Sequence, residues 1–225
     1  ACGGCGEDRA RVPEDVIASL AALRYDDSSP PVDPSNRFAD DATARAFGHR
    51  LFFDASLSGP LLEPDNDGSV ATLGVVGEAG RVSCAGCHIP TSGFVDTRSN
   101  HRQISLAAQW TARRTPTLLE VAFAPLYNWD GRRDSIWSQA LGVLESDREM
   151  NGGRLFVAQQ VFARHRAEYE AVFGAMPPLD DGSRFPALAP LDAGCALVAG
   201  QIVDCHGKPG DGAEYDALGE SDRDA

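Results

Sequence analysis

The run Ser83-Cys84-Ala85-Gly86-Cys87-His88 constrains this chain more than any other stretch. It has the form C-x-x-C-H, the attachment signature of a c-type haem. Two thiols three positions apart can each add across one of the two vinyl groups on a porphyrin edge. The histidine after the second thiol is then held beneath the ring, with its imidazole toward the iron. Cys84 and Cys87 are therefore the expected haem anchors, and His88 the expected proximal ligand. The alternatives are a zinc site and a redox dithiol. Zinc needs two further ligands at metal spacing, and a thioredoxin-like motif needs a strand–helix–strand setting. Neither is evident in the sequence.

Charge and cysteine usage narrow the setting. The chain has 225 residues, enough to bury a real core in one large or two small domains. A formal net charge of −13 argues against nucleic acid and anionic membrane surfaces as partners. Of six cysteines, Cys2, Cys5, Cys195 and Cys205 remain after the haem pair. Covalent haem and spare cysteines both point outside the bacterial cytoplasm, to the periplasm. No apolar run reaches the roughly 18 residues that a membrane span needs. No signal peptide is present, so the sequence reads as a processed or trimmed form. Its start, Ala1-Cys2-Gly3-Gly4-Cys5-Gly6, resembles a lipoprotein cleavage point, with Cys2 as the lipid-bearing residue. A flexible leader closed by a Cys2–Cys5 disulfide is the alternative.

Periodicity predicts helices separated by long loops. Pro13-Glu14-Asp15 opens a helix over residues 13–24, with Val16, Leu20 and Leu23 on one stripe. A second helix covers 41–53 through Ala44, Phe47, Leu51 and Phe52. Residues 54–82 form a long connection whose acidic piece, Glu63-Pro64-Asp65-Asn66-Asp67-Gly68, lacks the spacing of an EF-hand loop. Ile89-Pro90 stops any helix after the haem motif, and residues 89–133 read as loops lying over the haem. Asp134 opens a helix to 145, and residues 152–173 make the longest helix, ended by Gly174. His49 and His165 read as solvated helical residues. Strand signal is poor throughout, so the expected class is all-α with little or no strand.

A family resemblance runs along residues 47–150. It is carried by Phe47-Gly48-His49-Arg50-Leu51-Phe52-Phe53-Asp54, Leu57-Ser58-Gly59 and the haem motif. It continues through Gly93-Phe94-Val95-Asp96, Arg114-Thr115-Pro116-Thr117-Leu118, Trp129-Asp130-Gly131-Arg132, Gln139-Ala140-Leu141-Gly142 and Glu149-Met150. In this order the blocks resemble the N-terminal haem domain of the bacterial di-haem cytochrome c peroxidases, which include the MauG-like enzymes. The resemblance implies a cytochrome c-like helical haem domain over 41–175. A leader and helix precede it at 1–40, and a loop-rich connector follows at 176–225. It also implies that this haem is the one that meets hydrogen peroxide, opposite His88. Gln139 and Glu149 take the places of the family's pocket glutamine and glutamate. A carboxylate there can shuttle the proton that O–O cleavage requires, and an amide can hold peroxide without titrating. Read without the resemblance, Gln139 is a surface helix residue and Glu149 a helix-end carboxylate. Trp129 matches the tryptophan between the two haems, in the electron path; its plainer reading is a core residue. Asp130 and Arg132 brace that turn by ion pairing.

Departures from the family pattern matter. Asn128 stands where an aromatic residue is common, which makes the pocket wall more polar. Arg113-Arg114-Thr115 replaces a sequence whose asparagine helps to hold an interdomain calcium, so calcium stays an open question. Some members carry a distal histidine that leaves on activation. His101 is the candidate for that switchable ligand, against an ordinary exposed loop histidine. No second C-x-x-C-H occurs, since Ile202 stands three positions before Cys205-His206. A Cys195–Cys205 disulfide fits better than a second haem. The expectation is a chain that stops short of a second haem domain. The implied activity is reduction of hydrogen peroxide to water, with electrons from a small c-type cytochrome or cupredoxin, in a protein that could form a homodimer. The other readings are a mono-haem electron carrier and a MauG-like oxidase of a protein substrate.

Overall fold

The computed structural model describes residues 12–23, 30–210 and 213–224. Cys2 and Cys5, with their lipid and disulfide readings, lie outside the described residues. Two compact units are separated between Pro31 and Val32. In the first, α1 (Glu14–Ala22) has Pro13 at its N-cap, and Glu14 and Asp15 favour its first turn. None of its residues is buried within that unit.

In the second unit, α2 (Ala42–Phe53) begins where Asp41 accepts a hydrogen bond from the Ala44 amide at 2.7 Å. A single helical turn, α3 (Cys84–Cys87), carries the haem motif. Then come α4 (Ile136–Glu145) and α5 (Arg154–Phe173). Phe47 of α2 packs edge-on against Tyr169 and Phe173 of α5. Phe47 also joins Leu57, Leu61, Val82, Ala107, Met150 and Val161 in one core, and Cys84 and Cys87 pack against it. A second core gathers Leu155, Leu179, Phe185 and Leu218. Helix α5 serves both cores, through Val161 and Leu155. Among the described residues no helix is long and apolar enough to cross a membrane.

Helices and loops dominate, as the pattern predicts, with one addition. Strands β1 (Gly194–Val198) and β2 (Gln201–His206) pair antiparallel in a hairpin. Its two-residue turn is Ala199-Gly200, with positive φ at both positions. Such turns usually announce themselves by Asn-Gly or Asp-Gly, and Ala-Gly carries no such signal. Two short helices follow, α6 (Ala213–Asp216) and α7 (Glu220–Asp224). Residues after Pro177-Pro178 thus hold more regular structure than their loop-like composition suggests.

The hairpin is closed by the expected Cys195–Cys205 disulfide, across a sequence separation of 10. Replacing both cysteines by alanine should cost about 2–3 kcal/mol, from the loop-closure entropy returned to the unfolded chain. Urea melts of the two proteins, at equal haem content, measure it. The hairpin approaches the loop at Gly59 very closely. A Cβ on Gly59 would sit 1.9 Å from the Ala193 carbonyl oxygen and 2.0 Å from that of Asn151. Only glycine permits that contact.

His165 departs from its expected solvated place. Backbone angles of φ −132° and ψ 17° break the helical geometry of α5 there. The kink turns the imidazole inward, and Nε2 lies 2.7 Å from Oδ2 of Asp54 at the end of α2.

Candidate functional site: a haem motif beside a polar pocket

Local chemistry folds the motif before any cofactor is considered. Ser83 caps α3 by accepting a hydrogen bond from the Gly86 amide at 3.2 Å. The His88 amide closes the turn on the Cys84 carbonyl at 2.8 Å. The His88 ring is then aimed by one contact. Its Nδ1 lies 3.1 Å from the Phe94 carbonyl oxygen, which can only accept, so Nδ1 carries the proton. That leaves the lone pair of Nε2 for a metal, the usual outer-shell arrangement for a ligating histidine. Phe94 is presented by consecutive left-handed residues, Gly93 at φ +66° and Phe94 itself at +61°. A non-glycine residue pays for that conformation with backbone strain, and here the strain places a carbonyl. Phe52 flanks both the His88 and Phe94 rings at 6.4 Å.

The thiols sit in a dry environment. Burial pushes the Cys84 thiol up, and it pushes Cys87 up to about 12. Arg98 opposes this shift at Cys87, and Asp96, Glu149 and Cys84 add to it. Thiols held protonated in this way are poor thiolate ligands or redox nucleophiles. S–H groups against an apolar wall suit addition across a vinyl double bond, in which sulfur bonds one carbon and hydrogen the other. Burial lowers the His88 pKa against the opposing carbonyls of Phe94 and Pro116 and the charge of Asp96, which favours the neutral, ligating form.

Arg98 was not legible as part of this site. Its guanidinium is held by the buried Asp96, with Nε 3.1 Å from Oδ1 and Nη2 2.9 Å from Oδ2. Nη2 also reaches the Leu106 carbonyl at 3.0 Å and the Cys87 sulfur at 3.5 Å. Nη1 is buried without a partner in the protein, a donor the polypeptide alone does not satisfy. The paired anchors, the free Nε2 and this unsatisfied donor fit a covalently attached haem held by Cys84, Cys87 and His88.

A polar pocket of about 200 Å³ is formed by α4 and the segments that flank it. Gln139 enters it from α4, and Glu149 from the turn between α4 and α5. Asn128 supplies the polar wall that its sequence position implies, and Arg132, Arg133 and Ser146 complete the polar lining. Burial raises the Glu149 pKa; Ser146, Arg132 and Arg133 oppose the shift, and Asp147 adds to it. The charge of Glu149 is also felt at Cys87. One stretch of chain, 106–108, is hydrogen-bonded to both places. Arg98 holds Leu106, and the Ala108 amide donates to the Glu149 carbonyl at 3.0 Å.

Residues 42–190 match the di-haem cytochrome c peroxidase family. The chain belongs to that family. It is 28% identical over 202 residues to the methylamine utilization protein MauG of Methylorubrum extorquens, covering 89% of this chain and 50% of that protein. It is 30% identical over 168 residues to MauG of Paracoccus denitrificans, covering 66% and 38%. It is 32% identical over 100 residues to the cytochrome-c peroxidase IdrP2 of Denitromonas iodatirespirans, covering 43% and 20%. Among solved structures it resembles the diheme peroxidase BthA of Burkholderia thailandensis, at 24% identity and a TM-score of 0.48, over 68% of this chain and 38% of that one. The chain spans at most about half the length of these relatives. Membership in this family of oxidoreductases implies haem c as the cofactor.

Trp129 and His101, also named from the sequence, do not line the pocket. Trp129 is 67% exposed, and its indole N–H donates to the Arg114 carbonyl at 3.0 Å. It is a surface residue rather than a core tryptophan. Asp130 and Arg132 do brace the turn, with bonds of 2.9 and 3.1 Å, and Arg113 adds a second ion pair to Asp130 at 3.3 Å. His101 lies exposed with its ring edge-on to Trp110 at 5.8 Å, and it does not line the pocket of Glu149.

Two residues that shape the site carry no sequence signal. Asn151 is fully buried at φ +50°. Its amide nitrogen donates to the carbonyls of Pro60 at 2.9 Å and Cys195 at 2.8 Å, and its oxygen accepts the Cys195 amide at 2.8 Å. It ties the Glu149 turn to the hairpin. Arg133 is the second. Arginine after Gly131-Arg132 looks like ordinary surface charge until α4 is folded beside it.

Proposed function

We propose that this chain is the peroxide-reducing haem c domain of a periplasmic di-haem cytochrome c peroxidase. The reaction takes hydrogen peroxide, two electrons and two protons to two waters. Electrons come from a small c-type cytochrome or cupredoxin, by way of a second haem domain. The observation that carries this reading is the convergence of Gln139 and Glu149 in one polar pocket, with the Glu149 carbonyl bonded to the Ala108 amide of the segment that Arg98 holds at Leu106.

A bound haem supplies the redox-active iron at which the O–O bond is cleaved. The protein's part is positioning and proton transfer. Glu149 takes a proton from the near oxygen of peroxide and returns it to the far oxygen, which departs as water. Its burial brings the carboxyl closer to a working pH, where such a shuttle is effective. Gln139 offers both an acceptor and a donor to the peroxide and stays uncharged throughout. Trp129 offers an oxidisable indole at the surface, suited to passing electrons across a domain boundary. A lipid anchor at Cys2 would keep such a domain at a periplasmic membrane face.

The electron-carrier reading needs a strong sixth ligand such as methionine. Met150 is 1% exposed within the main core, and Met176 packs against both cores. The second reading is a MauG-like oxidation of a protein substrate by the same pocket. The full-length holoprotein should have a ferric spectrum with an open or weakly held sixth position. It should consume hydrogen peroxide when supplied with a reduced c-type cytochrome or cupredoxin. A tight histidine–methionine spectrum, unreactive to peroxide, would overturn the proposal. Peroxide turnover only in the presence of a protein substrate that becomes oxidised would decide for the second reading.

A further inference from the structure

The pocket around Glu149 has two arginines, and they are not equivalent. Arg132 is ion-paired, its Nη1 donating to both carboxylate oxygens of Asp130, a group that also pairs with Arg113. Arg133 makes no ion pair with a carboxylate among the described residues. Its guanidinium instead occupies the space beside Gly142 of α4 where a side chain would begin. A Cβ on Gly142 would sit 2.5 Å from Nη2 and 3.1 Å from Cζ of Arg133. Both residues line the pocket, and the charge of Arg133 acts on the Glu149 carboxyl. The lining sets the guanidinium groups of Arg132 and Arg133 against the one carboxyl of Glu149.

The sign of this pocket therefore runs against the rest of the molecule. A chain of formal net charge −13 repels anions at long range. Inside a recess of about 200 Å³, a single unpaired guanidinium outweighs that diffuse field, because nearby charge is screened less. Such a volume accommodates only a few groups of water size, at about 30 Å³ each. Amides from Asn128 and Gln139 add hydrogen-bonding capacity without charge.

We propose that Arg133, seated on Gly142, is the specificity-determining residue of this pocket and makes it select small monoanions over neutral ligands of similar size. Azide and formate represent the anions, and neutral imidazole the comparison. The inference rests on the pocket's being the haem's open face, as the proposed function holds.

Spectrophotometric titration of the ferric holoprotein at constant ionic strength tests it. In the wild type, azide, formate and imidazole each perturb the haem absorbance. In Arg133→Gln, affinity for azide and formate falls about tenfold, the size of one partly screened charge a few ångströms away. Affinity for imidazole stays within about twofold. Gly142→Ala provides a second route, since it displaces the guanidinium but keeps its charge in the protein. Alanine favours a helix interior over glycine, and the group it displaces is the flexible end of a side chain, so folding is not at risk. It weakens the anions in the same direction and spares imidazole.

Equal loss of anion and imidazole binding, or unchanged anion binding in Arg133→Gln, overturns the role of Arg133 and leaves the peroxide reading standing. Failure of all three ligands to perturb the wild-type haem removes the pocket from the open face, and overturns both.

Discussion

Replacing Glu149 by glutamine is expected to slow reaction of the ferric holoprotein with hydrogen peroxide by roughly a hundredfold or more, the usual size of a lost general acid–base group. Stopped-flow mixing measures the rate, and a haem stain after denaturing electrophoresis verifies that the haem is still attached. Glutamine keeps the volume of the side chain and loses the titratable proton. An unchanged peroxide rate would remove Glu149 from the chemistry. The same variant has a second signature, with a definite sign. Burial holds the Glu149 pKa above its ordinary value. The native state therefore retains a proton that the unfolded chain releases. The associated stability is complete below the ordinary glutamate range and is lost as pH rises through the raised value. Wild type weakens across that window, whereas the glutamine variant does not. The variant's melting temperature should thus gain on wild type with rising pH, then hold a constant lead. A merely exposed carboxylate would produce no such gap.

Asn151→Ala is expected to cost about 3–5 kcal/mol in denaturant unfolding, the range for breaking a buried hydrogen-bond network. The substitution strands the carbonyls of Pro60 and Cys195 and the amide of Cys195, all inside the protein. It also forces alanine into a left-handed conformation, at a cost of about 1–2 kcal/mol. Asn151→Gly separates the two effects. Glycine accepts the backbone freely, so it should recover about 1 kcal/mol of the loss and leave the rest. If both variants melt like wild type, the amide is dispensable, and the Glu149 turn is held by backbone contacts alone.

Much of the haem motif was legible because its chemistry is local. Cys84, Cys87 and His88 lie within five positions, and one helical turn suffices to arrange them. The longer helices were legible for a similar reason: apolar residues at helical spacing need a common face, and Asp41 and Gly174 mark their ends. The disulfide was foreseen as a pairing of cysteines left over after the haem. The hairpin that it closes was missed, because Ala199-Gly200 does not advertise its turn.

The pocket is a different case. Gln139 and Glu149 entered through resemblance, since neither residue announces a role in its own neighbourhood. The folded chain adds Arg133 over Gly142, and Arg98 between Asp96 and Cys87. His165 was misjudged from its charged neighbours, because the kink that turns it to Asp54 depends on packing between α2 and α5.

Covalent geometry and short-range periodicity thus suffice for the turn that carries Cys84, Cys87 and His88 and for the principal helices. Their interactions close within a few residues, so neighbours in the chain specify them. The electrostatic character of the pocket arises only when distant segments meet. Glu149 acquires its raised pKa from burial, and two positions along the chain Asn151 bonds to Pro60 and Cys195, 91 and 44 positions away. Burial and charge balance are sums over spatial neighbours, and linear order does not contain them.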